Sequence, residues 1–213
     1  MTNPNFELNI SKEELSNLPA ESFSGEIVVV DSERQLGEVI PILEKAPIIG
    51  FDTETKPNFR KGQVNRIALL QLATPEAAFL IRLCKIGMPP QLKALLENEN
   101  IFKVGLSIKD DFHGLSKLCN FKPAGFLDLQ NYVREFNITD SSLTKIHAII
   151  FGRRISKNQQ LSNWEAPVLT PKQQEYAAID ARVCINIYRE LKSGRFVPTD
   201  SPYCKPKGES QKG

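Results

Sequence analysis

This sequence is short of most features that would place it by composition. Its four cysteines, Cys84, Cys119, Cys184 and Cys204, are scattered with no CxxC and no Cys/His cluster. That argues against zinc and for free thiols in a reducing compartment. Only two histidines occur, His113 and His147, and both read as ordinary structural or surface residues. Charge of one sign is missing too: 27 Lys and Arg face 25 Asp and Glu, a net charge of +2. No whole-protein basic coat for long nucleic acid is present, although an enzyme gripping a few nucleotides is not excluded. No apolar run approaches the ~20 residues that span a bilayer. The N-terminus has no basic region followed by an apolar stretch, so it does not read as a signal peptide. The expectation is a cytoplasmic protein, with the sequons at Asn9 and Asn137 accidental. GxGxxG, GxxxxGK[ST] and HExxH are absent, which removes dinucleotide, P-loop and zincin readings.

What is present is an ordinary globular composition, 41% hydrophobic and 24% charged over 213 residues, enough for one domain with a real core. Residues 1–24 are polar and read as an extension or loose cover. "EIVVVDS" reads as a strand, and Ser32-Glu-Arg-Gln35 as a capping box opening a helix to about Lys45. "APIIGFDTET" reads as a second strand. "RIALLQLAT" and "AAFLIRL" read as a hairpin around Thr74-Pro75-Glu76. A short helix in "MPPQLKALLENEN" and a buried strand in "IFKVGLS" follow, and after "FLDLQ" the pattern is mostly helical to about Gly194. Residues 196–213 are rich in Pro, Ser, Gly and Lys and read as a disordered tail. The order predicts one α/β domain with a mixed sheet.

Four acids stand where acids are costly. In the strand "IIGFDTETKP", Asp52 and Glu54 are two apart and share a face, while Thr53 points the other way and reads as non-catalytic. In "KVGLSIKDDFHGLSKLC", Ser107-x-x-Asp110 reads as a capping box. Asp110 suits the positive end of that helix, but Asp111 falls at the edge of the apolar stripe and faces inward. In "LTPKQQEYAAIDARVCINIYREL", Thr170, Pro171 and Gln173 start a helix. Asp180 lies inside its apolar stripe, with Tyr176 one turn earlier on the same face. Four inward carboxylates without matching arginines repel one another. All-oxygen ligation of two divalent ions, Mg²⁺ or Mn²⁺, removes the difficulty, and such a pair serves in-line attack on a phosphodiester.

The three segments resemble the three motifs of the DEDD 3′–5′ exonuclease superfamily. "FDTET" resembles the first, D-x-E. "KVGLSIKDD" resembles the second, with Asp111 six residues after Gly105, and "YAAIDA" resembles the third, Y-x-x-x-D. The run from "SLTKIHAII" to "YAAIDA" is also similar to ribonuclease D and the Werner-syndrome exonuclease domain. The resemblance covers residues 25–195. Glu175 stands where the histidine branch has its His, and Tyr176 where the tyrosine branch has its Tyr, which implies the DEDDy type. It implies a single-domain ribonuclease H-like fold, a mixed β-sheet flanked by helices. It also implies a nuclease that releases nucleoside 5′-monophosphates from free 3′ ends of DNA or RNA. Asp52 would bridge both metals, Glu54 and Asp180 would complete one site and Asp111 the other, and Tyr176 would orient the attacking water. The helical C-terminal domains of ribonuclease D and the Werner helicase are not expected, a layout that leans towards DNA. Arg60, Lys61 and Arg66 flank the first motif, and Arg153, Arg154 and Lys157 precede the third; each is a candidate phosphate contact or a solvated loop residue. Phe59 is a candidate base platform and Trp164 a packing anchor. Two other classes stay open: a binding module of the same fold without catalysis, and a small-molecule phosphodiesterase.

Overall fold

The computed structural model describes residues 5–56 and 66–207. Its strands are β1 (Phe6–Leu8), β2 (Glu26–Val30), β3 (Ile49–Thr55), β4 (Ile67–Ala73), β5 (Ala77–Ile81), β6 (Lys103–Gly105), β7 (Phe126–Asp128) and β8 (Cys204–Pro206). Its α-helices are α1 (Lys12–Ser16), α2 (Glu33–Glu44), α3 (Leu83–Ile86), α4 (Pro90–Glu97), α5 (Ile108–Ser116), α6 (Leu129–Tyr132), α7 (Leu143–Phe151) and α8 (Pro171–Lys192). No helix among these residues is long and apolar enough to cross a membrane.

Six strands form one mixed sheet in the order β2-β5-β4-β3-β6-β7. The two strands of the hairpin, β4 and β5, are buried throughout, as their apolar runs, broken only by Gln71 in β4, require when helices cover both faces. The turn between them is held by Thr74, whose Oγ1 accepts the N–H groups of Glu76 and Ala77 at 3.2 and 3.1 Å. On one face Ile49, Phe51, Leu70 and Leu72 pack beneath α2, α4 and α5. The other face lies beneath α7 and α8. Helix α2 starts as its sequence predicts, the Ser32 side chain accepting the Gln35 N–H, and buries Leu36, Val39, Ile40 and Leu43 at helical spacing.

Helix α8 lies close on β3 because Gly50 has no side chain. A Cβ there would sit 1.9 Å from the Ala181 carbonyl oxygen, so nothing larger fits. Beside this contact the β3–β4 register slips between Glu54 and Thr55: Glu54 pairs with Leu69 and Thr55 with Ile67. The bulge bends the end of β3, as bulges do near functional sites.

Two expectations are corrected and one strand is added. The chain ends are not a loose cover and a disordered tail up to Lys207. Strand β1 pairs antiparallel with β8, Phe6 opposite Pro206 and Leu8 opposite Cys204, and Leu8, Ile10 and Tyr203 are buried. The few apolar residues in each segment are diluted by polar neighbours, and each needs the other to form a strand. Residues 208–213 lie outside the described residues. The segment "FLD" is a sixth sheet strand, β7, too short to show a period. Ser107 makes no capping bond. Its backbone is left-handed, φ 57°, and its N–H donates instead to Asp128 Oδ1 at 2.9 Å.

Candidate metal centre

The sheet and α8 together build an acidic cleft. Period two on β3 sends Asp52 and Glu54 to the α8 face. The 3.6-residue period of α8 sends Tyr176 and Asp180 to the sheet. The Gly50–Ala181 contact fixes the spacing between them. One ligand oxygen from each of Asp52, Glu54 and Asp180 lies within 4.8 Å of the others. The cleft, about 260 Å³, is walled by these acids and Tyr176 on one side. Ser142, Thr144, Lys157 and Gln160 line it as well.

Asp111 arrives by another route. It stands on α5, which packs on the opposite face of the sheet, and it is outside the three-oxygen group. The Thr53 hydroxyl donates to its Oδ1. Thr53 is therefore not idle: pointing away from Asp52 is what lets it hold Asp111 at the end of β3. Asp111 remains close enough to act on Asp52 and Glu54 through charge.

Burial raises every one of these groups, and repulsion from the other site acids adds to it at Asp52 and Glu54. Asp52 is held far above the usual carboxylate range by burial, then by Asp180, Asp111 and Glu54. Glu54 is pushed up to about 9, by burial first and then by Asp180 and Asp111. Asp180 is pushed up to about 7 by burial, which outweighs the hydrogen bond from Tyr176. Asp111 is pushed up to about 7 by burial, against the Thr53 hydrogen bond. The Tyr176 hydroxyl is held above its ordinary value by burial and by Asp180, so it stays protonated and donates to Asp180. Two carboxylates 4 Å apart repel by about 4 kcal/mol at an effective dielectric of 20. No Lys or Arg is within salt-bridge distance of these four acids among the described residues. A hard, all-oxygen donor set lacking internal cations fits a divalent ion such as Mg²⁺ or Mn²⁺.

The basic candidates divide. Lys157 lines the cleft. Arg153 Nη1 donates to the Ala20 carbonyl at 3.5 Å and Arg154 Nε to the Leu18 carbonyl at 3.0 Å, so both fasten the N-terminal segment. Arg66 borders a different hollow, with Leu83, Leu118 and Glu165. Arg60, Lys61 and Phe59 lie outside the described residues. Trp164 is fully buried beside Tyr176, ring centroids 6.0 Å apart, and His147 is buried against Glu21 at 2.8 Å. Sequence reading missed Ser142, Thr144 and Gln160 as cleft residues, because isolated hydroxyls and amides carry no spacing signal.

A family model described as 3′-5′ exonuclease matches residues 27–194. The chain belongs to the 3′-5′ exonuclease family. It is 31% identical over 185 residues to the mouse "Bifunctional 3'-5' exonuclease/ATP-dependent helicase WRN", covering 82% of this chain and 13% of that protein. It is 34% identical over 148 residues to the Drosophila melanogaster "Exonuclease 3'-5' domain-containing protein 2", covering 68% and 25%. The chain thus spans a quarter or less of these two relatives. The Aedes aegypti Nibbler EXO domain superposes with TM-score 0.72 at 23% identity, covering 85% of this chain and 97% of that one. Escherichia coli RNase D superposes with TM-score 0.71 at 22% identity, covering 80% and 45%. The fold is the ribonuclease H-like mixed sheet flanked by helices, as expected, and all four acids and Tyr176 lie inside the matched residues.

Proposed function

We propose that this family member is a metal-dependent 3′–5′ exonuclease of the DEDDy type, releasing nucleoside 5′-monophosphates from free 3′ ends of nucleic acid. The observation that carries the reading is the gathering of Asp52, Glu54 and Asp180 oxygens within 4.8 Å of one another, with no Lys or Arg among the described residues paired to them. Asp52, Glu54 and Asp180 would hold one ion, and Asp52 with Asp111 a second. Such ions, when bound, stabilise the attacking and leaving oxygens of an in-line displacement. The chain's own residues do the rest. Thr53 keeps Asp111 in place. Tyr176 keeps its proton, donates to Asp180, and offers its hydroxyl to orient a water in the cleft. Lys157 contributes positive charge beside the acids for a substrate phosphate.

The test is a 5′-labelled oligonucleotide panel: single-stranded DNA, recessed duplex and RNA, each with Mg²⁺ and with Mn²⁺. Stepwise shortening that EDTA stops and Asp52→Ala abolishes is the expected result. Binding without turnover under any metal identifies a non-catalytic module instead, and cleavage confined to dinucleotides a small-molecule phosphodiesterase. We place DNA slightly ahead of RNA; stronger turnover of RNA reverses that order.

A further inference from the structure

Gln71 is a buried polar residue with no partner. It stands on β4 in the layer between the sheet and α8, with 0% of its surface exposed. Both Oε1 and Nε2 are buried and neither is hydrogen-bonded. Leaving such a group unsatisfied costs about 1–3 kcal/mol, and its flanking residues on this face, Leu69 and Ala73, are apolar and fully buried. Packing alone therefore calls for an apolar residue.

The register shows what is near it. Gln71 pairs directly with Asp52 across β3 and β4. Directly opposed residues share a face with Cβ atoms about 4.5–5.5 Å apart, so a carboxamide can reach the neighbouring carboxylate. The hydrogen bond that favours ionised Asp52 comes from the Thr53 backbone, and a carboxylate has acceptor sites for more. A second unpartnered donor shares the layer. The Trp164 indole N–H is buried without a partner, and its ring packs with Leu69 and Leu80. Leu80 is the residue opposite Gln71 on β5.

We propose that Gln71 is a positioning residue for the metal centre: when metal is taken up, its carboxamide turns so that its N–H donates to the Asp52 carboxylate and holds it for ligation, while its Oε1 accepts the Trp164 indole N–H. Outer hydrogen-bond partners of this kind orient a ligand, and losing one lowers metal affinity about 10- to 100-fold. The inference rests on the metal reading above.

The test separates positioning from packing. Gln71→Met keeps length and removes both polar atoms. Metal-free, the variant is expected to melt no lower than the unsubstituted protein. Its Mn²⁺ dissociation constant, from titration calorimetry, is expected to rise about 10- to 100-fold. Unchanged affinity in a stable variant overturns the inference. A measurement on the unsubstituted protein covers a variant that fails to fold. The Gln71 carboxamide ¹H–¹⁵N signal, assigned through Leu69 and Leu80, should shift on adding Mg²⁺, and a stationary signal overturns the inference. Unsubstituted protein that takes up no Mn²⁺ defeats the metal reading itself. Uptake that Gln71→Met leaves alone defeats only the part given to Gln71.

Discussion

Lys103 and Asp52 stand on adjacent strands, β6 and β3, one fully buried and the other half-buried at the cleft, and the protein surrounds them differently. Lys103 is fully buried. Its Nζ donates to the carbonyls of Leu95, Asn98 and Ile101 at 3.2, 2.8 and 2.8 Å, and it lies 4.9 Å from the centre of the Phe126 ring. Three donors meet three acceptors, the last turn of α4, its cap Asn98 and the loop beyond giving one each. Asp52 meets Asp180, Asp111 and Glu54, which all repel it. A buried charge whose partners are all supplied by the chain is structural. A charge among like charges is a demand for something from outside, and under the proposed function that is a divalent metal.

The largest expected break in this contrast comes from Asp52→Asn. Nuclease turnover is expected to fall at least about a thousandfold, ~4 kcal/mol of transition-state stabilisation. The metal-free protein should melt no lower, because an acid that burial and its neighbours keep from ionising has gone. A variant that keeps turnover, or that melts well below the unsubstituted protein, breaks the contrast.

Next comes Gly50→Ala, which acts on both sheet and site. The added methyl collides with the Ala181 carbonyl and must move α8. The expected cost is about 3 kcal/mol in denaturant unfolding, with weakened Mn²⁺ uptake, since Asp180 moves with the helix. Full stability would show that α8 can yield without loss.

Lys103→Met probes the other side. Three carbonyls lose their donor, and stability is expected to fall by about 2 kcal/mol. Mn²⁺ affinity should be unchanged, because Lys103 touches none of the acids. A large drop in affinity would mean that the two buried charges are coupled.

The last prediction concerns pH, and its sign follows from the raised carboxyls. Glu54 at about 9, Asp111 and Asp180 at about 7, and Asp52 raised as well, all hold protons in the folded state that the unfolded chain releases near pH 4. Their contribution to stability is complete below about pH 4 and is lost as pH rises through about 7 to about 9. Lys103, lowered to about 8 by burial, works in the opposite sense above that pH. The melting temperature of metal-free protein should therefore fall between about pH 5 and pH 8. Saturating Mg²⁺ should flatten the fall, because it binds the ionised carboxylates. A flat metal-free profile would show that the acids do not repel one another as their placement requires.

Much of the site was readable as pattern. Asp52 and Glu54 follow from period two on an apolar strand, and Tyr176 and Asp180 from one helical turn on an apolar stripe. The hairpin of β4 and β5 follows from two buried runs around a Thr-Pro-Glu turn. Capping held where the backbone was extended, at Thr170 and Ser32, and failed at Ser107, whose left-handed backbone turns the side chain away from the cap. The basic residues were read least well. A positive charge near a motif in sequence says little about where its long side chain ends, and Arg153 and Arg154 went to the carbonyls of the N-terminal segment.

The sequence by itself determined which faces of β3 and α8 carry acids, because side-chain direction within one element is set by local backbone geometry. Tertiary structure alone decided the rest. It brought Asp111 round from the far side of the sheet through Thr53, and it joined the two chain ends as β1 and β8. It also left Gln71 beside Asp52 without a partner. Each of these depends on pairing between segments distant in the chain, and such pairings leave no period for a local reading to detect.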